Sequence, residues 1–290
     1  MDEAEEEVDN IYKYCPTSIN GTVLYCSNEA DPGEVKDGIN LNGKLVLTTT
    51  PGDWDSAQVC DPSVISGNFI FGGQSYTYLM AYLGCATYDC TVNEVGFAVS
   101  NNLYNWTKIG RVVEAEKDGC WGVGQPCLMS YNNTVYLFYT SGTIQKTTTY
   151  ASVLSDTNFD NGVNLSSPVE ITCSYDSIIS NADFAFSGTT LYMTCDTHPF
   201  PEGDLGFISA VQSVYEGQWD GTLEGLATID WTITTQIGSA VTGHERNHNG
   251  CFSRNGDGSL ASRTLLVTTG DVVGDFNANL WTYEFISTSF

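Results

Sequence analysis

From Tyr12 onward, apolar and β-branched residues come in short runs, and Asn-Gly, Gly-Gly, Asp-Gly and Pro-Gly pairs interrupt them. Runs of about four to eight residues bounded by turn-forming pairs predict β-strands joined by tight turns. No stretch has the length, 3.6-residue period and caps of a long amphipathic helix. The strands also repeat. Cys15-Pro16-Thr17-Ser18-Ile19 leads into Val23 to Ser27, Asp61-Pro62-Ser63-Val64-Ile65 into Tyr76 to Tyr82, and Gln125-Pro126-Cys127-Leu128-Met129 into Val135 to Gly142. Weaker copies start at Ala182-Asp183-Phe184 and at His248-Asn249-Gly250-Cys251. Five copies of one strand-turn-strand unit predict an all-β fold, a five-bladed β-propeller, with residues 1–10 as an acidic arm and 11–290 as a single domain.

Anchors at Asp61, Gln125, Asp183 and Glu245 lie 64, 58 and 62 residues apart, which suits blades of four strands. In a propeller the innermost strand of each blade lines the central channel, so residues at the heads of successive inner strands converge at one mouth. Asp61, Gln125, Asp183 and the cluster His244-Glu245-Arg246-Asn247-His248 are placed there. Polar groups at such positions in an otherwise apolar barrel require a partner or a ligand.

These residues resemble glycoside hydrolase family 43, the five-bladed propeller enzymes that act on arabinose, xylose and related sugars. Asp61-Pro62 matches the Asp-Pro that carries the family's general base, and Ser100 to Trp106 matches its Ser-Asn-Leu-x-x-Trp element. Trp121 to Pro126 is similar, in a looser form, to its Trp-Ala-Pro motif. The resemblance implies that Asp183 is the carboxylate that tunes the acid and Glu245 the general acid. It further implies inversion of configuration at an arabinoside, xyloside or galactoside. The chain departs from the family in three ways. The Glu-Gly-Pro expected around the acid is absent, the Gly243 to Gly250 stretch also resembles the Gly-His-Asn motif of the family's last blade, and a complete-looking unit precedes Asp61.

Glycoside hydrolysis needs one carboxylic acid to protonate the leaving oxygen and one carboxylate to activate water, about 6.5–9.5 Å apart for inversion. Asp61 suits the ionised role, and a nearby Asp183 would hold Glu245 protonated because like charges raise one pKa. Trp54 and Trp121, with Tyr12, are candidates to stack on a sugar face, and Gln125, His244, Arg246 and His248 to bind its hydroxyls. Each has a structural alternative: a turn for Asp61 and Asp183, a satisfied core imidazole for His248, inter-blade packing for Trp106, Trp231 and Trp281. A carbohydrate-binding propeller without catalysis, or a purely structural module, are the rival readings.

Composition narrows the partners. Ten basic against 35 acidic residues give a net charge of −25, which repels phosphate backbones and anionic lipid, so an oligo- or polysaccharide substrate is expected and nucleic acid or membrane is not. No metal or other cofactor is expected at the catalytic site, although the excess carboxylate leaves room for a structural Ca²⁺ outside any EF-hand loop. Ten cysteines without Cys-x-x-Cys spacing suggest disulfides, Cys85 to Cys90 among them, and hence a secreted protein; a monomer is expected. Sequons at Asn20, Asn105, Asn132 and Asn164 agree with a glycoprotein.

Overall fold

The computed structural model describes residues 46–87, 91–116, 120–143, 146–202, 208–271 and 288–290, together with the backbone of 18–19, 22–26, 43–45 and 284–287. The acidic arm, Tyr12, Cys15, Cys90 and Trp281 lie outside the described residues.

Five antiparallel sheets follow one another along the chain. The first holds Ser18–Ile19 (β1), Thr22–Cys26 (β2) and Gly43–Leu47 (β3). The second holds Gln58–Phe71 (β4), Gln74–Cys85 (β5), Glu94–Ser100 (β6) and Thr107–Val113 (β7). The third holds Gly122–Tyr131 (β8), Thr134–Gly142 (β9), Thr147–Val153 (β10) and Val169–Ile171 (β11). The fourth is built of Asp183–Ser187 (β12), Thr190–Asp196 (β13), Gln212–Gln218 (β14) and Thr232–Ile237 (β15), and the fifth of Arg246–Arg254 (β16), Leu260–Gly270 (β17) and Glu284–Ser289 (β18). Inner strand β8 lies beside β4 and β12, β12 lies beside β16, and β1 and β2 lie against β4. The sheets are the blades of a β-propeller, as the repeats predict.

Burial on both faces of each blade explains why the strands read as near-continuous apolar runs. Along β5, Tyr78, Met80 and Tyr82 pack with Leu47, Val59 and Val64 towards the first sheet, while Leu79 and Ala81 pack with Leu128 and Leu137 of the next blade. The same alternation in β8 sends Leu128 one way and Cys127 and Met129 the other, against Phe184, Met193 and Trp231. Each large side chain buried this way contributes roughly 1.5–3 kcal/mol. Trp231 is buried between blades and Trp106 packs against the Tyr82 cluster, both as expected from sequence.

The cysteine expectation is corrected here. Cys85, Cys127, Cys173, Cys195 and Cys251 are thiols, and Cys85 sits fully buried with its Sγ 3.5 Å from Thr87 Oγ1, so it forms no bridge to Cys90. Cys127 and Cys195 fill the core between the third and fourth blades as small apolar side chains. These five lend no support to the disulfides expected from the cysteine count. The sequon residues Asn105, Asn132 and Asn164 are all exposed.

One side chain ties the inner strands together. Arg254, 6% exposed, donates from Nη1 to Leu128 O (3.2 Å) and Phe184 O (3.1 Å) and from Nη2 to Ser63 Oγ (3.2 Å), and it pairs with Asp183 Oδ1 at 3.3 Å. Those acceptors belong to β4, β8 and β12. Removing the cation strands a buried carboxylate and two carbonyls, so Arg254→Met should lower unfolding stability by about 3–5 kcal/mol. A reduced urea midpoint at unchanged m-value checks this; a change under about 1 kcal/mol contradicts it.

Candidate active site

Four inner strands open with the same backbone irregularity. Cys60 pairs with Leu83 and Ser63 with Ala81; Gly124 pairs with Thr140 and Cys127 with Phe138; His248 pairs with Thr268 and Cys251 with Leu266. In each case three residues advance on the inner strand for two on its partner. The fourth blade repeats it, with Asp196 N–H donating to Ser180 O and Asp183 pairing with Thr194. The extra residue is Asp61, Gln125, Asn181 or Asn249, and all four have left-handed φ, between +46° and +53°. Asn and Asp tolerate that conformation better than other side chains.

This register corrects two of the sequence anchors. The strand-head residues of the fourth and fifth blades are Asn181 and Asn249, not Asp183 and Glu245. Asp183 lies two positions further in, where its Oδ2 accepts Phe252 N–H at 2.8 Å and its Oδ1 faces Arg254. Glu245 is exposed, with its backbone N–H on Asp271 Oδ1 at 2.7 Å. The four equivalent positions thus carry one carboxylate and three carboxamides.

Asp61 opens onto a cavity of about 470 Å³ whose walls include Trp121, Gln125, Asn181, His198 and Phe200. Among the described residues Asp61 is the one carboxylate of that lining; neither Asp183 nor Glu245 belongs to it. Its side chain keeps some solvent contact through the cavity but is otherwise densely surrounded, and this burial raises its pKa above the ordinary 3.8, against the opposing pull of His248.

Behind Asp61 runs a chain of polar contacts. Asn181 N–H donates to Gln125 Oε1 (2.7 Å), Gln125 Nε2 donates to Asn181 Oδ1, and Asn181 Nδ2 donates to Asp196 Oδ2 (2.7 Å). Asp196, fully buried, also accepts from Gln212 Nε2 and Asn249 N–H (3.1 Å), and faces His248 Nδ1 at 2.7 Å. A carboxylate at Nδ1 fixes the proton there. Burial pushes the His248 pKa down, but Asp196, its hydrogen bond and Asp61 outweigh burial and leave it raised. Sequence reasoning singled out His248 but missed Asp196, Asn181, Ser180 and His198. Asp196 ends strand β13, whose other residues are apolar or threonine, and an acid closing such a run was the available signal.

The remaining expected residues divide. Trp121 lines the cavity, held over Gly142, where a Cβ would come within 1.9 Å of its Nε1. Trp54 instead stacks on Tyr82 at 5.5 Å and covers Gly84 and Gly96, outside the lining. His244 Nδ1 meets Asp271 Oδ2 at 2.9 Å, and Arg246 Nη1 reaches Glu245 O at 3.4 Å; neither residue lines the cavity. The Ser100 to Trp106 element is a self-bonded turn, with Ser100 Oγ accepting Leu103 N–H (3.0 Å) and Trp106 Nε1 donating to Leu103 O (2.7 Å).

No protein-family profile matches the chain, and no curated protein matches it by sequence. Among solved structures it is similar to an α-L-arabinofuranosidase from Lactobacillus brevis, with a TM-score of 0.59 and 10% identity over 100% of this chain and 94% of that one. An exo-1,5-α-L-arabinanase from a bovine ruminal metagenomic library gives 0.57 and 11% identity, covering 95% and 87%. An endo-arabinase from Bacteroides thetaiotaomicron gives 0.53 and 11%, covering 96% and 97%. The chain has the arabinanase-type propeller fold. Within that fold Asp61 stands at an inner-strand head beside a cavity, and the corresponding heads of the next three blades carry amides.

Two outcomes follow from this geometry. The folded state disfavours ionised Asp61, so Asp61→Asn should raise the melting temperature at pH 7, with the gain fading as pH falls through the raised folded-state pKa towards the ordinary value of 3.8, below which the group is protonated in both states. Equal melting temperatures at pH 7 would contradict the raised pKa. Gly142→Ala should displace Trp121, read as a shift in tryptophan emission and a loss of about 1–3 kcal/mol.

Proposed function

We propose that this protein is a glycoside hydrolase that cleaves an arabinofuranosyl or related xylosyl or galactosyl bond, with Asp61 as the general base. The observation that carries the reading is the placement of Asp61: a bulge-held carboxylate, alone of its kind among the described residues that line an aromatic-walled cavity, in the fold of the arabinanase-type propellers. A cavity of about 470 Å³ falls within the range of small-ligand sites. Trp121 and Phe200 offer flat apolar faces of the kind that sugar rings stack on, and Gln125 and Asn181 offer amides to their hydroxyls.

In this reading ionised Asp61 takes a proton from a water that attacks the anomeric carbon, and the leaving oxygen departs with a proton from an acid on the opposite side. Asp183, committed to Arg254 and to Phe252 N–H, is unsuited to tune that acid at close range. Glu245, exposed four residues before the strand-head Asn249, is taken as that acid, the role the family resemblance implies for it. Inversion is proposed with that pair.

The three carboxamides at the strand heads favour a second reading, in which the propeller binds a saccharide without cleaving it. Incubation with arabinan, xylan, galactan and aryl arabinofuranosides separates the two. Hydrolysis that falls by about 10²–10⁴-fold in Asp61→Asn, with a first product of inverted anomeric configuration by NMR, supports the first reading. Saccharide binding with no product from any of these substrates supports the second, and turnover unaffected by Asp61→Asn removes Asp61 from the mechanism.

A further inference from the structure

The same cavity holds a second set of chemically competent groups, which glycoside hydrolysis by Asp61 does not use. Ser180 and His198 both line it. Ser180 Oγ lies 3.4 Å from His198 Nε2, and the other ring nitrogen, Nδ1, lies 3.7 Å from Asp176 Oδ2. The connectivity is hydroxyl to Nε2 and carboxylate to Nδ1, the order in which a serine nucleophile, its base and the orienting acid are arranged. We propose that Ser180, His198 and Asp176 form a nucleophilic triad that hydrolyses a small O-acyl ester, of the kind an acylated sugar presents.

Each member is held by the fold. Asp176, 8% exposed, is fixed on both oxygens, Oδ1 by Ile178 N–H at 3.1 Å and Oδ2 by His198 N–H at 2.9 Å. The His198 ring stacks on Phe200 at 4.2 Å with 25° between planes. Ser180, 8% exposed, immediately precedes the left-handed Asn181, and its carbonyl is tied to Asp196 N–H at 3.1 Å, so the backbone bearing the hydroxyl is anchored to β13. His198 Nδ1 is buried and has no hydrogen-bond partner, although a carboxylate stands just beyond bonding range. A small rotation of the ring closes that gap, and triads are commonly looser without ligand than with it. Asn93, whose buried Oδ1 is likewise unpartnered, places a carboxamide in the same lining for the acyl group.

The chemistry balances without any further reactant than water. Ser180 Oγ attacks the acyl carbon while its proton passes to His198 Nε2; that proton then leaves with the alcohol oxygen as the ester C–O bond breaks, giving an acyl-serine. A water, deprotonated by His198, attacks the acyl carbon, and the Ser180 Oγ–acyl bond breaks as the proton returns to Oγ, releasing the carboxylic acid. Asp176 acts as a positioning residue, holding the proton on Nδ1 and stabilising the imidazolium.

The full-length chain is treated with diisopropyl fluorophosphate and the modified peptide located by mass spectrometry, and p-nitrophenyl acetate hydrolysis is followed in parallel. One adduct on Ser180 is expected. Ser180→Ala should take no label and His198→Gln should label at least about 100-fold more slowly. Asp176→Asn should depress the rate by a similar factor, while the exposed-surface control Ser155→Ala behaves as the parent. No adduct, an adduct on another serine, or labelling of His198→Gln at the parent rate overturns the proposal and leaves His198 a packing residue. Because the position of the adduct in the unaltered protein decides by itself, a variant that misfolds does not blunt the test. The outcome is also independent of glycoside hydrolysis, since Asp61 takes no part in it.

Discussion

The architecture depends on a single backbone constraint, repeated around the ring: at the head of each of four inner strands, three residues stand against two. Such a bulge cannot be spread along a strand. It concentrates the mismatch on one residue, which turns left-handed and swings its side chain out of the alternation that governs the rest of the strand. That is why Asp61, Gln125, Asn181 and Asn249 are equivalent although their identities differ, and why Asp61 and Asn181 look into a cavity while their neighbours pack between blades. The residues immediately before them, Cys60, Gly124, Ser180 and His248, inherit a fixed position from the same irregularity, and two of these carry hydrogen-bonding side chains whose partners lie in the polar network behind or beside the cavity.

Charge is managed differently at the two depths. Near the mouth, buried Asp196 has its oxygens satisfied by Gln212, Asn181, Asn249 and His248. Deeper along the axis, Asp183 is paired with Arg254, whose other donors reach backbone carbonyls and a serine hydroxyl of inner strands. The first arrangement pairs the acid with a titratable imidazole, which makes it responsive to pH; the second locks the strands together with a group that never loses its charge.

Much of this was legible in the sequence, for reasons that can be traced. Short apolar runs and turn pairs disclose blades because strands buried on both faces must be apolar throughout, as β5 and β8 are. Asp61 was legible because the Asp61-Pro62 pair heads an apolar run and matches a family motif, not because the proline dictates its left-handed φ. Asp183 and Glu245 misled because a carboxylate draws the eye more than an asparagine, whereas left-handed φ selects asparagine as readily as aspartate. Asp196, Asp176 and His198 were hidden for a different reason. Their meaning comes from side-chain partners and a backbone N–H 15 to 53 residues away, and no local pattern encodes that proximity. The core role of Cys127 and Cys195 was hidden because a cysteine count says nothing of placement, and inter-blade cores accept a thiol as readily as a methyl group.

Arg254 has one further effect. A guanidinium bonded to β4, β8 and β12 couples the three strands whose heads carry Asp61, Gln125 and Asn181: to displace any one of them, a hydrogen bond to a buried charge has to break. The spacing of those cavity groups is thereby set by a residue of the fifth blade that is not itself among the described lining.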